Sequence, residues 1–226
     1  MDTITYSAAR ASYGSFQTAD AQLAKGFKLG NFTQDYFFAY RRSDGYRDHS
    51  DLEKFSLAGK WFYNWSENSR VGIIARHHQN DAQEPGYLTR NDSKEHPTLS
   101  YPFSATDGGD RQIGQYSIHL DTQPTEALSW STKAYLNRFK DERWVKFSSG
   151  VSQQERDTDE DHYGALTTLT FRPKVSWARE FLLEGGLDFQ RQNNQSKRYL
   201  TIERTRQSQT RDQDFSLNTY GAYVQA

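Results

Sequence analysis

Six histidines are the first residues that could carry acid–base or metal chemistry, and their spacing argues against most of it. His77 and His78 are neighbours in an alternating stretch, so their rings point to opposite faces and do not suit one shared metal. His49 follows Asp48, and His162 follows Asp161. Either pair would suit a carboxylate-oriented general base, but both fall in polar stretches where solvated loop polarity is the simpler reading. His96 and His119 have no local partner. Acids gather at Asp44, Asp48 and Asp51, and again at Asp157, Asp159, Glu160 and Asp161. Clustered carboxylates can hold calcium, yet neither cluster has the fixed glycine and terminal bidentate Glu of an EF-hand loop. Cysteine is absent, which removes disulfides and thiolate metal sites. The expectation is no catalytic residue, no metal and no cofactor.

Binding chemistry is better represented. Arg41, Arg42, Tyr46, Arg47, Tyr87, Arg90, Tyr101 and Phe103 lie in or beside polar connecting segments. Arginine supplies a fixed, forked positive charge, and Tyr and Phe supply stacking surface, a combination that fits a flat anionic ligand. The alternative is that these residues close the mouth of the fold.

What positions them is period-two alternation in segments of about ten residues. Phe181, Leu183, Gly185, Leu187 and Phe189 alternate with Leu182, Glu184, Gly186, Asp188 and Gln190. Phe55, Leu57, Gly59, Trp61, Tyr63 and Trp65 alternate with Ser56, Ala58, Lys60, Phe62 and Asn64. Two more such runs start at Leu128 and Tyr163, and a weaker one spans Val71 to His77. The gaps between runs alternate in length. Tight turns are expected at Leu29-Gly30-Asn31, Ser66-Glu67-Asn68-Ser69, Gln123-Pro124-Thr125-Glu126 and near Arg172-Pro173-Lys174. Long polar connections are expected at 43–51, 80–111, 140–161 and 193–214, with Trp144, Val145 and Phe147 hinting at strand extensions inside one of them.

That rhythm reads as an all-β fold, the antiparallel portion of a transmembrane β-barrel with about ten strands beginning near Ile4, short periplasmic turns and long extracellular loops. Composition agrees. Only 35% of the 226 residues are hydrophobic, and mean hydropathy is −0.96, short of what a soluble core needs. Aromatics nevertheless reach 15%, too many for a disordered chain. A barrel with a thin apolar band, aromatic girdles and a polar lumen satisfies both. Trp61, Trp65, Trp130 and Trp177 are placed in the interface girdle, with Trp65 and Trp177 at periplasmic turns. Gly114, Gly164, Gly185 and Gly221 fall within strands and are expected to allow bends or close packing. With 28 basic and 29 acidic residues mixed along the chain, nothing points to nucleic acid. No apolar run is long enough for a spanning helix, and residues 1–10 have no signal-peptide pattern, so an exported protein would be missing its start here.

Four motifs taken in order are more specific. They are Tyr13-Gly14-Ser15-Phe16, then the run Asp44-Gly45-Tyr46-Arg47-Asp48-His49-Ser50-Asp51, then Pro85-Gly86-Tyr87-Leu88-Thr89, and finally the stretch from Phe215 to Gln225. In this order and spacing they resemble the N-proximal part of the barrel of TonB-dependent outer-membrane receptors, across essentially the whole chain. The resemblance implies a barrel of about 22 strands with a plugged lumen, in the outer membrane of a Gram-negative bacterium, taking up a scarce nutrient such as a ferric siderophore. It makes residues 1–226 one partial barrel domain, with the plug that TonB contacts lying before Met1 and further strands after Ala226. Outer-membrane lipid and lipopolysaccharide are the other expected partners. Two alternatives stay open, a ten-stranded barrel hydrolase and a passive porin-like channel. The ending Val224-Gln225-Ala226, in place of a closing Phe, argues against the first.

Overall fold

A computed structural model describes residues 5–177 and 179–226. The expected strand start at Ile4 lies outside the described residues. Among the described residues ten strands form one antiparallel sheet, in which each pairs only with its sequence neighbours. They are β1 (Tyr6–Gly14), β2 (Thr18–Leu29), β3 (Phe32–Ser43), β4 (Leu52–Ser66), β5 (Ser69–Gln83), β6 (Gly108–Thr125), β7 (Leu128–Val145), β8 (Gln153–Phe171), β9 (Leu183–Ile202) and β10 (Thr205–Gln225). The two outermost strands, β1 and β10, do not pair with each other.

Register fixes the two faces. Directly paired residues share a face, and successive residues alternate. Following Leu57↔His77, Ile73↔Ile118, Ile118↔Ala134, Ala134↔Ala165 and Ala165↔Phe189 across the sheet gathers one apolar wall. The same steps place Lys60, Ile74, Ser117 and Tyr135 on a polar wall. Among the described residues thirty-two large hydrophobic or aromatic side chains are exposed and only Phe62 and Val145 are buried apolar ones, so the burial is inverted relative to a soluble sandwich. Glycines let aromatics lie flat on this wall. Trp61 covers Gly59 and Tyr116 covers Gly114, where an added Cβ would stand 2.0 and 2.8 Å from the ring. Gly164 is crowded by Tyr135 and a neighbouring carbonyl, and Gly221 by Asp188, whereas Gly185 has room.

The connectors fall at two rims, one dominated by two-residue turns and the other holding the longest loop. At one rim the connectors are 30–31, 67–68, 126–127 and 172–182. At the other they are 15–17, 44–51, 84–107, 146–152 and 203–204. Three expectations change. The turn near Pro173 is an eleven-residue connector, so β9 starts at Leu183 and Phe181 lies outside it. The connections expected at 140–161 and 193–214 are mostly strand, with gaps of only 146–152 and 203–204. Strands lengthen from 9 residues in β1 to 21 in β10, whereas about 9–11 cross a membrane. Beyond Leu136, Tyr163 and Phe189 the apolar wall becomes ionic, with Arg138–Asp161 at 2.8 Å and Lys140–Asp159 at 3.1 Å.

Candidate functional site

The polar wall is electrically lopsided. On β3–β7 it carries Arg41, Lys54, Lys60, Arg70, Arg76, Arg111, Lys133 and Arg143, against Asp35, Asp121 and Asp141. Asp121 holds Arg70 and Asp141 holds Arg111, each at 2.8 Å, and Glu84 from the following loop holds Arg143 at 2.6 Å. Among the described residues, the remaining five cations have no carboxylate within ion-pair distance. Near the short-turn rim, Phe62 is flanked by Lys60 at 5.5 Å, Arg70 at 4.9 Å and His119 at 5.8 Å, ring centre to group. A polar cleft of about 500 Å³ beside it is lined by Arg70, Asp121, Ser131 and Thr168. This wall presents unneutralised positive charge to whatever fills or crosses the space it faces.

At the other rim, the loops are tied into one unit by a buried hub. Asp107 and Ser104 have no exposure, Gln153 has 4% and Thr201 has 2%. Asp107 accepts the Lys146 backbone N–H and the Gln153 amide, each at 2.8 Å. His49 Nε2 donates to the Asp107 carbonyl at 2.6 Å. Gln153 Oε1 accepts from the Thr201 hydroxyl and the Arg204 backbone N–H, both at 3.0 Å. Arg204 Nε donates to the Thr106 carbonyl at 2.8 Å, with its guanidinium over the Trp144 ring. The first connector joins through Asp44 N–H to the Phe16 carbonyl at 2.9 Å. Five connectors thus share one hydrogen-bonded network.

The residues proposed for ligand contact distribute unevenly over this frame. Arg47 is engaged with backbone, donating to the carbonyls of Gly86 at 2.7 Å, Pro85 at 3.2 Å and Leu99 at 2.6 Å. Gly86 has φ +70°, and a side chain there would strike Ser104, so this crossing of the loop needs glycine. Tyr101 stacks on Phe103 at 5.2 Å, and its hydroxyl donates to Asp92 on helix α1 (Asp92–Glu95). Tyr87 stacks on Phe147 at 6.3 Å, and Tyr46 meets Phe16 edge-on at 5.7 Å. Tyr46, Tyr87 and Arg90 are exposed, and Arg41 points from β3 to the polar wall beside Lys54. Trp61, Trp65 and Trp130 stand on the apolar wall toward the short-turn rim, and Trp177 lies in the 172–182 connector against Phe181.

The acid–histidine pairs do not assemble as dyads. Besides the His49 bond already given, Asp161 is taken by Arg138, and His162 Nε2 lies 3.2 Å from Asn194 and 3.7 Å from Glu160. At the outer rim, bonds from the Tyr101 and Thr89 hydroxyls hold the Asp92 carboxyl below its ordinary range. Burial, with Glu155 and Asp157 close by, pushes Glu142 upward. The hub residues Asp107 and Gln153 give no sequence signal, because they are single polar residues in polar stretches.

No family model and no curated protein matches the chain. Solved structures do match it. Similarity to the ferric citrate transporter FecA in its unliganded form gives a TM-score of 0.76 at 15% identity, over 96% of this chain and 33% of that one. For the pyoverdine outer membrane receptor FpvA from Pseudomonas aeruginosa PAO1 the score is 0.79 at 12% identity, over 97% and 37%. For the copper transporter OprC it is 0.71 at 13% identity, over 99% and 34%. At such identities the likeness is one of fold. The ten-stranded sheet has the fold of TonB-dependent receptor barrels and spans about a third of the length of these structures.

Proposed function

We propose that these ten strands are part of the barrel wall of an outer-membrane receptor in a Gram-negative bacterium, one that takes up a scarce nutrient, a ferric siderophore or similar chelate. The observation that carries this reading is the fit of the whole sheet to receptor barrels, including those of a ferric citrate transporter and a pyoverdine receptor. In it the apolar wall faces lipid, the polar wall faces the lumen, and the tied connectors form the extracellular rim. Lipopolysaccharide contacts the ionic upper part of the outer wall. Arg41, Tyr46, Tyr87, Arg90, Tyr101 and Phe103 are the ligand-contact candidates, and Arg47 acts by holding the loop that carries four of them. TonB coupling would come through a lumen-filling domain outside this sequence. The chain itself performs no chemistry.

The unpaired cations of β3–β7 favour an anionic chelate. The test is uptake of radiolabelled iron by cells whose full-length receptor is the only one present. Anionic ferric citrate and a ferric tris-catecholate are compared with a neutral ferric trihydroxamate. Saturable uptake of an anionic chelate is expected, reduced at least about tenfold by a Lys60→Glu/Lys133→Glu double substitution, which costs about 1.4 kcal/mol or more per decade. No saturable uptake of any chelate would contradict the reading.

A further inference from the structure

The apolar wall carries one charge at the edge of its apolar band. Among the described strand residues between the short turns and the upper aromatics (Tyr40, Phe55, Tyr116, Tyr163 and Phe189), Lys25 is the one formally charged side chain on that wall. It stands in the row Ser7↔Lys25↔Tyr36. Its ammonium leans toward the short-turn rim, 6.0 Å from the Phe27 ring centre. Phe27 stacks on Tyr36 at 6.1 Å, and Tyr36 meets Trp61 at 5.7 Å. The Trp61 indole N–H donates to the Tyr36 hydroxyl at 3.0 Å. An indole and a phenol sharing a hydrogen bond mark the depth of the bilayer interface, so the ammonium sits at headgroup level.

Directly beyond Lys25, away from the short-turn rim, a shallow apolar groove of about 530 Å³ opens. Leu23, Phe38 and Leu57 wall it, over the strand backbone at Ala24 and Ala58. Lys25 has no carboxylate partner among the described residues. Charge at the rim end and apolar surface toward mid-bilayer is the polarity of one lipid in one leaflet.

We propose that Lys25 and this groove seat a single anionic glycerophospholipid of the periplasmic leaflet, with its phosphate on the ammonium and one acyl chain along Leu23, Phe38 and Leu57. A lipid of the outer leaflet would present its headgroup at the wrong end of the groove. The proposal rests on the lipid-facing reading of the apolar wall and is independent of what the receptor transports.

The experiment reconstitutes the full-length protein in nanodiscs of equimolar phosphatidylglycerol and phosphatidylcholine, then reads retained lipid by native mass spectrometry. Heat-modifiable migration confirms folding of each variant. The wild type is expected to keep one phosphatidylglycerol in preference to phosphatidylcholine. Lys25→Gln loses that preference by roughly fivefold, the effect of one lysine near an anionic lipid surface, while Lys25→Arg keeps it. Leu57→Trp fills the groove and loses the bound lipid with Lys25 intact. Equal retention of both lipids by the folded wild type, or a preference unchanged in Lys25→Gln, overturns the proposal. A wild type that does not insert into the bilayer overturns the lipid-facing reading itself.

Discussion

Asp107 shows how much of the outer rim depends on single side chains. It is fully buried and takes two N–H groups from the 146–152 side of the rim while its carbonyl takes His49. Asp107→Ala leaves those donors unsatisfied and should cost about 1–3 kcal/mol. Hydrogen exchange should quicken in 84–107 and 146–152 and stay unchanged at the short-turn rim. Arg47→Lys should loosen 84–107 nearly as much as Arg47→Ala, since an ammonium cannot reproduce the fork that spans three carbonyls. Glu142 gives a pH test. Its folded pKa is raised, so its contribution is complete below the ordinary glutamate range and is lost as pH rises through the raised value. Glu142→Gln should therefore raise the melting temperature in mildly alkaline buffer and leave it unchanged in acid, with no difference at either pH counting against the crowding. At this scale the sequence was half legible. Types suited to binding could be picked out, but not that Arg47 would be occupied by backbone, because its partners lie 38 to 52 residues away.

At the scale of the strand, legibility depended on whether the two faces differ. Where one face is apolar, as from Phe55 to Trp65 or from Leu183 to Phe189, alternation located the strand and its faces. Above the apolar band both faces are wet, as in Asp157, Thr158, Asp159 and Glu160, so the period-two signal vanishes and long strands read as loops. The 172–182 connector erred the opposite way, because alternation runs past the end of the hydrogen-bonded strand into Phe181. The asymmetry of the faces is testable within one strand. Leu187→Arg, on the apolar wall, should destabilise by about 2–4 kcal/mol in a bilayer, whereas Gln190→Arg on the polar wall should change stability little. Urea titration in lipid vesicles measures both, and similar costs at the two positions would count against the assignment of faces.

For the whole molecule, the governing fact is that β1 and β10 present unpaired edges. Unpaired backbone groups in lipid cost several kcal/mol each, so on the proposed reading further strands pair with these edges. The 226-residue stretch expressed alone should give no heat-modifiable monomer in detergent or lipid, whereas a full-length barrel containing it should. The sheet as a whole also separates its charges, leaving unneutralised cations on the lumenal wall of β3–β7 although formal net charge is −1. Neither feature was visible in composition, since both depend on which strands become neighbours.

The most direct test is a depth-independent map of the two walls. The 226-residue sequence has no cysteine of its own; single cysteines are placed from Leu183 to Gln190 in the full-length protein, with any cysteine elsewhere in it replaced by serine, then spin-labelled and reconstituted in bilayers. Oxygen accessibility should peak at Leu183, Gly185, Leu187 and Phe189, and accessibility to a water-soluble nickel chelate at the residues between them. A profile without a two-residue period, or one with the two sets exchanged, would contradict the account.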